Sequence, residues 1–419
     1  MLRILSPMVA YREDLLRAPG RDAFAPVDGL WITTAQTLEY CVSLSSAERA
    51  VVFANLGAAL QAECDRRAGD AEAASYTDVL RSLAKELSRV SSGSANAVAA
   101  WYLRLAEQMT SAGANHVSLA VIAQLLRFPN LEPRLLGRVL AHQGRVARNL
   151  GDLAAADDSF DMVTALGKRV ADREIEARGL YGIAGVALMR GNYPQGRSRY
   201  EQALEAAREA GSAELTGLAH HGLLVVHATA GDFDTALRHA SEALRHASGE
   251  DDGYAELLSN IGTVCSEAGY FAAALAAHTV AANTSDSARV RLASLGGAAW
   301  AAARLKDHAT FETLVRRIDT EIAGGTPPHE TALVLVELAR ALALYGDSRM
   351  MRYALAAGRL AHQHQYYDLQ FAVDELLAAR PVHTPTEPAR APRPITEGSS
   401  AVLSAIAALA PTSRAFVQA

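Results

Sequence analysis

Apolar residues recur every three or four positions along most of this chain, which is the spacing of one helical face. In AGDFDTALRHASEALRHA, residues 230–247, the positions Phe233, Ala236, Leu237, Ala240, Ala243 and Leu244 line up behind a Gly231-Asp232 turn. The same cadence returns in GNYPQGRSRYEQAL from residue 191 and GDLAAADDSFDMV from residue 151. A column of turn glycines follows: Gly69, Gly113, Gly151, Gly191, Gly231, Gly269 and Gly346, with Lys306 in the place of one glycine. Their spacing, 37 to 44 residues, is the signature of an array. Five residues after the turn the side chain is small (Ala74, Ser118, Ala156, Gly196, Ala236, Ala274), and seven before it come Ala106, Gly144, Ala184, Gly262, Ala299 and Ala339. Larger apolar residues stand eleven before it, from Tyr102 and Leu140 to Leu295 and Leu335. Each unit therefore reads as a first helix, a short turn and a second amphipathic helix, with small residues letting the pair approach closely.

Composition sharpens this to an all-α chain. Hydrophobic residues make up 50% of the 419, aromatics only 6%, and β-branched runs are scarce, which favours helices over strands. Residues 1–33 carry Pro7, Pro19 and Pro26 without a sustained period and read as an irregular lead-in. Residues 34–92 read as an N-terminal helical cap or degenerate repeat, joined to the array by SSGSAN at 91–96. The array fills residues 98–378. Residues 381–398, PVHTPTEPARAPRPITEG, read as a proline-rich linker, and 399–419 as a tail with a short apolar helix near Ala401 to Leu409. A helix that short is marginal in water and needs a surface, on its own chain or another.

The best-matching units, GDFDTALRHASEAL, GNYPQGRSRYEQAL and GDLAAADDSFDMV, resemble the tetratricopeptide repeat (TPR) family, with Phe160 and Tyr200 in its later aromatic column. The resemblance implies an α-solenoid of helix-turn-helix units forming a right-handed superhelix. The period exceeds the family's usual 34 or so residues, and the aromatic column decays to Ala240, His278, Val315 and Leu355. A HEAT-like stack is the alternative solenoid.

The resemblance also implies a concave groove lined by first helices, and it assigns positions to that groove. These are Arg138, His142, Arg145, Arg148 and Asn149; Arg178 and Tyr181; His221; Ser259, Asn260 and Thr263; Trp300 and Arg304; Glu337 and Arg340. Asn260 stands where family members grip a peptide backbone with an amide that both donates and accepts. Arg138, Arg145 and Arg178 suit a carboxylate or acidic peptide.

Searches for chemistry return little. The phosphate-loop, dinucleotide, nucleophile-elbow and zinc-helix patterns do not occur, so neither a catalytic residue nor a cofactor is expected. His220 and His227 fall in columns filled elsewhere by apolar residues and read as core, and no zinc-ligand spacing accompanies them. Asp157, Asp158 and Asp161 open a second helix, where the helix dipole favours carboxylates. Cys41, Cys64 and Cys265 are too few for a disulfide framework. The net charge of -6 and the interspersed arginines give no basic stripe for nucleic acid, and no segment has the uniform apolarity of a membrane span.

The expected protein is thus a cytoplasmic, non-catalytic scaffold that binds a protein or peptide in its groove. Two alternatives share the architecture. One is a peptide-responsive bacterial-type regulator acting on a partner protein. The other is a structural subunit, or homo-oligomer, anchored through its C-terminal tail.

Overall fold

The computed structural model describes residues 46–66, 81, 84–85, 95–111, 114–128, 130–247, 252–285, 287–323, 326, 328–378, 393, 395–396, 399–400 and 402–406. The expected lead-in, the turns at Gly69 and Gly113, and most of the linker lie outside these residues. The described elements are helices: α1 (Ser46–Arg66), α2 (Ala95–Ser111), α3 (Asn115–Leu125), α4 (Pro133–Asn149), α5 (Leu153–Val170), α6 (Arg173–Met189), α7 (Tyr193–Glu209) and α8 (Ala213–Thr229). They continue as α9 (Phe233–His246), α10 (Asp252–Ala268), α11 (Phe271–Thr284), α12 (Ala288–Arg304), α13 (His308–Ala323), α14 (Pro328–Leu344), α15 (Arg349–Gln363) and α16 (Tyr367–Ala378). Helices and the apolar tail segment account for the fold, an α-solenoid of helix pairs.

One dipeptide ends each first helix and begins its partner. Gly151, Gly191, Gly231, Gly269 and Gly346 all have positive φ, between 65° and 89°. The following amide then reaches back to close the helix: Asp152 N to Ala147 O at 2.9 Å, Asp232 N to His227 O at 2.9 Å, Asp307 N to Ala302 O at 3.0 Å. This is the Schellman closure, which a left-handed residue at the helix end makes possible. The same second residue caps the next helix: Asp152 Oδ1 accepts from Ala155 N at 2.9 Å, Asn192 Oδ1 from Gln195 N at 3.2 Å, and Asp232 Oδ1 from Thr235 N at 3.2 Å. Lys306 adopts φ 59° in place of glycine, and Asp307 still caps. Conformation, rather than the residue, is what repeats.

The chain divides into two compact units, residues 1–215 and 216–419. In the first, α5 packs against its own partner α4 and against the next first helix α6, while α4 also touches α6. In the second, α11 packs on α10 and α12, and α10 on α12. First helices form one layer and second helices wedge between them. The wedge is tight: the Phe160 ring lies where a Cβ on Gly144 or Gly182 would come within 2.7 Å and 2.1 Å of it.

The second unit also holds the described part of the tail. Val402 and Ile406 are buried in the apolar cluster of Phe233, Leu237 and Ala274, so the tail is seated on its own chain.

Candidate protein-binding face

On the first-helix layer of the N-terminal unit, His142 is buried against α2 and α3. Arg145 Nη2 donates to its Nδ1 at 2.6 Å. Because a guanidinium only donates, Nδ1 must accept and the ring proton must sit on Nε2. Nε2 lies 3.1 Å from Ser118 Oγ and 3.2 Å from Thr110 Oγ1, and Ser118 Oγ donates its own hydrogen bond to the Ala106 carbonyl at 2.8 Å. Burial, with Arg145 and Arg138 adding repulsion, lowers the imidazole to a pKa of about 3. Ser118 and His142 resemble a nucleophile and base by type only. A base for Ser118 needs a vacant Nε2, and Arg145 enforces the opposite tautomer. The cluster is a satisfied structural network.

Around it lies an arginine-rich surface. Arg138 meets Glu107 at 3.7 Å, and Arg178 meets Glu214 at 3.4 Å and Glu174 at 3.9 Å. Burial draws the Arg145 guanidinium below its ordinary range, Glu107 and Tyr181 opposing this while Arg148 and Arg178 reinforce it. Arg148 reaches across to α6, where its Nη1 lies only 2.6 Å from the place a Cβ on Gly185 would take. The Tyr181 and Tyr200 rings lie 5.5 Å apart beside it, tilted by 57°, and burial pushes the Tyr200 phenol above its ordinary range. Neither Arg145 nor Arg148 forms an ion pair with a carboxylate among the described residues. Asn149 stands apart, its amide 3.4 Å from Asn115 Oδ1.

The expected groove residues of the second unit are arranged differently. Asn260 Nδ2 contacts His221 Nε2 at 2.7 Å, so one arm of the expected backbone-gripping amide is engaged within the chain. Burial lowers the His221 pKa while Glu256, itself 3.0 Å from Arg289, opposes it. Thr263 Oγ1 turns back to the Ser259 carbonyl at 3.2 Å. Arg304 stacks over Trp300 at 5.6 Å and over Phe271 at 4.6 Å, which carries its head to the N-terminus of α11. Arg340 pairs with Glu337 at 2.8 Å, and burial raises the Glu337 carboxyl.

Thus the structure joins His142 to Arg145 and His221 to Asn260, sets Arg145, Arg148, Arg178 and Tyr181 in one neighbourhood, and engages Arg304 and Arg340 locally. Sequence alone does not single out Glu107 and Glu214 on neighbouring first helices, or Glu174 on the helix of Arg178, as the carboxylates that neutralise Arg138 and Arg178. The available signal is a spacing of roughly one repeat for Glu107 and Glu214 and of one helical turn for Glu174. His220 and His227 are buried as their columns imply, with His220 and His239 Nδ1 atoms 2.9 Å apart. No group of three or more His, Cys, Asp or Glu among the described residues is arranged to hold a metal ion, and no described helix is long and apolar enough to cross a membrane.

A tetratricopeptide repeat family profile matches residues 175–248, which span α6 to α9. No curated protein matches the chain. Among solved structures it is similar to BtubC (BKLC) from P. vanneervenii, at 16% identity over 51% of this chain and 84% of that one, with a TM-score of 0.35. It is also similar to a signal transduction ATPase with numerous domains (STAND) protein with a tetratricopeptide repeat sensor from Pyrococcus horikoshii. That likeness has 12% identity, covers 84% of this chain and 54% of the other, and has a TM-score of 0.49. The chain therefore spans about half of the latter protein. With the repeat profile centred on α6 to α9 and helix pairs closed by one recurring turn, the chain is a TPR-like repeat protein.

Proposed function

We propose that the chain is a non-catalytic scaffold that holds an acidic peptide or protein segment on the first-helix face of its N-terminal unit, at Arg145, Arg148, Arg178 and Tyr181. Repeats of this family generally serve protein–protein interaction. The observation that carries the finer reading is the unequal pairing of arginines: Arg138 and Arg178 meet carboxylates, whereas Arg145 and Arg148 do not. Arg145 and Arg148 repel each other with no carboxylate at ion-pair distance, Glu107 offsetting this for Arg145 only from further away, and a ligand carboxylate relieves that repulsion while accepting charge-assisted hydrogen bonds. Each such bond contributes about 1.5–3 kcal/mol. Tyr181 adds an aromatic surface for the ligand's apolar stem.

The test is fluorescence anisotropy with a labelled glutamate-rich peptide and a lysine-rich control of equal length. Arg145→Ala with Arg148→Ala is expected to weaken the acidic peptide at least tenfold, with Arg340→Ala leaving it unchanged. Equal affinity for both peptides, or indifference to the paired substitution, removes the reading.

A further inference from the structure

Two residues of the second unit break the repeat pattern, and both face the same segment. At the turn between α10 and α11 the second residue is Tyr270 instead of the Asp or Asn found at positions 152, 192, 232, 307 and 347. Three places after the turn residue the other described repeats carry His116, Ala154, Pro194, Ala272, Ala309 and Arg349, but the α9 repeat carries Asp234. The tail spans both. Arg393 N donates to Ala268 O at 3.0 Å, Tyr270 Oη donates to the Arg393 carbonyl, and the Arg393 guanidinium lies 4.6 Å over the Phe233 ring.

Asp234 receives the rest. Its Oδ1 accepts from Thr396 N and Thr396 Oγ1, each at 2.9 Å, and from Ser399 Oγ at 2.6 Å. Ser399 Oγ also lies 3.0 Å from the Asp234 carbonyl, and Arg238 approaches the carboxylate at 3.6 Å. The hydrogen bonds from Ser399 and Thr396 hold the carboxyl below its ordinary range. Beyond them the chain turns helical, Ser400 N bonding Thr396 O at 3.1 Å, and delivers Val402, Leu403 and Ile406 to the apolar cluster.

This is the anatomy of a peptide-recognition site with its peptide in place: a cation on an aromatic ring, hydroxyls on one carboxylate, and apolar side chains four apart along a short helix. We propose that Phe233, Asp234, Tyr270 and the adjoining apolar surface form a second binding site, whose resident cis ligand is residues 393–406. Its trans ligand is a partner-protein segment of the same chemistry: a basic residue, two hydroxyl residues opening a helix, and apolar residues at three, four and seven places further on. The site is separate from the arginine face and does not depend on it. Residues 379–392 tether the tail, and a short tether supplies an effective concentration on the order of mM, so only a well-matched partner displaces it. A helix this short contributes little stability by itself, which keeps the occupant exchangeable.

The test uses the full chain and a labelled peptide of residues 391–408, APRPITEGSSAVLSAIAA. Val402→Asp with Ile406→Asp ejects the resident tail and is expected to tighten binding of the peptide at least tenfold over the unsubstituted chain. Asp234→Ala in that background is expected to cancel the gain. If the ejected variant binds no better than the parent, or Asp234→Ala leaves its affinity unchanged, the site is not a recognition site. Circular dichroism checks the fold of each variant. Independently of ejection, Asp234→Asn in the otherwise unaltered chain is expected to speed amide exchange of residues 399–406 at least tenfold while α4 to α7 keep their protection; unchanged exchange overturns the proposal. A concentration-dependent dimer that the ejecting pair dissolves would assign the occupant to a second copy and overturn the cis assignment.

Discussion

Phe160 and His278 fill the same slot in the two units, and the contrast shows what the repeat requires. Each stands nine residues after its turn glycine, and each is wedged between a glycine of its own first helix and a glycine of the next. For Phe160 those are Gly144 and Gly182; for His278 they are Gly262 and Gly297, whose Cβ positions would lie 2.7 Å and 2.4 Å from the imidazole. Other repeats carry Ala240, Val315 or Leu355 there, whereas where two glycines bring the helix backbones this close the slot takes a flat ring. It does not demand an apolar one. His278 is 2% exposed, and its Nδ1 has no hydrogen-bond partner among the described residues. Phe160 fills the same volume with no polar atom to satisfy.

Exchanging the rings is the strongest way to break the comparison. Phe160→His places a polar imidazole in a slot built around a buried apolar ring, and is expected to cost about 3 kcal/mol, on the scale of disruptive core substitutions. Urea unfolding, with hydrogen exchange to localise the loss to α4 to α6, measures it; a cost below about 1 kcal/mol would mean that the slot is not a core position.

Acid sharpens the contrast next. Burial holds His278 at a pKa of about 4, against 6.5 for the free side chain. The unfolded chain therefore binds more protons than the folded one between these values, so stability falls as pH drops through 6.5 and levels off below 4. From pH 7 to pH 5 this group contributes a loss of about 2 kcal/mol. His278→Phe is expected to remove that share of the pH dependence and, at pH 7, to stabilise the chain by about 1 kcal/mol. Thermal melting of parent and variant at the two pH values decides it: parallel losses would show that His278 is not the responsible group. His142, held at about 3, adds to the parent's loss in both proteins and cancels from the difference.

Lys306→Gly is the mildest probe. With φ 59° where the other turns carry glycine, lysine bears a left-handed penalty of about 1–2 kcal/mol, partly offset by the greater unfolded-state entropy of glycine. A gain of about 0.5 kcal/mol is expected, read as a small rise in melting temperature. A loss would mean that the lysine side chain makes a compensating contact.

Surface chemistry separates the units as well. On the N-terminal first-helix face, arginines outnumber the carboxylates that reach them. On the C-terminal one, His221, Asn260, Glu337 and Arg340 are tied to residues of the same layer. Asn260 stands nine residues before its turn, the place of Gly182 and Gly297, and the preceding repeat carries Ala240 where Phe160 and His278 stand. A small residue in the slot is matched by a larger one on the next helix. The position that invited a peptide-gripping role is thus also governed by volume.

The sequence by itself determined the helix pairs, because a period near four residues and a turn needing one left-handed residue are local properties that any stretch displays alone. It also determined the small columns, since two helices in close contact tolerate little there. It placed His278 in the aromatic column but did not reveal that the imidazole is wedged between Gly262 and Gly297, or that Arg145 fixes the tautomer of His142. Nor did it reveal which arginines lack a counter-ion. The tautomer depends on a side-chain geometry within α4, whereas the glycines around His278 and the carboxylates that reach Arg138 and Arg178 lie on other helices and meet these residues only when the helices pack. The place of the tail was decided by tertiary structure alone: its few apolar residues are too short a helix to specify a site, and Asp234 and Tyr270 become its partners only when the starts of α9 and α11 are brought together.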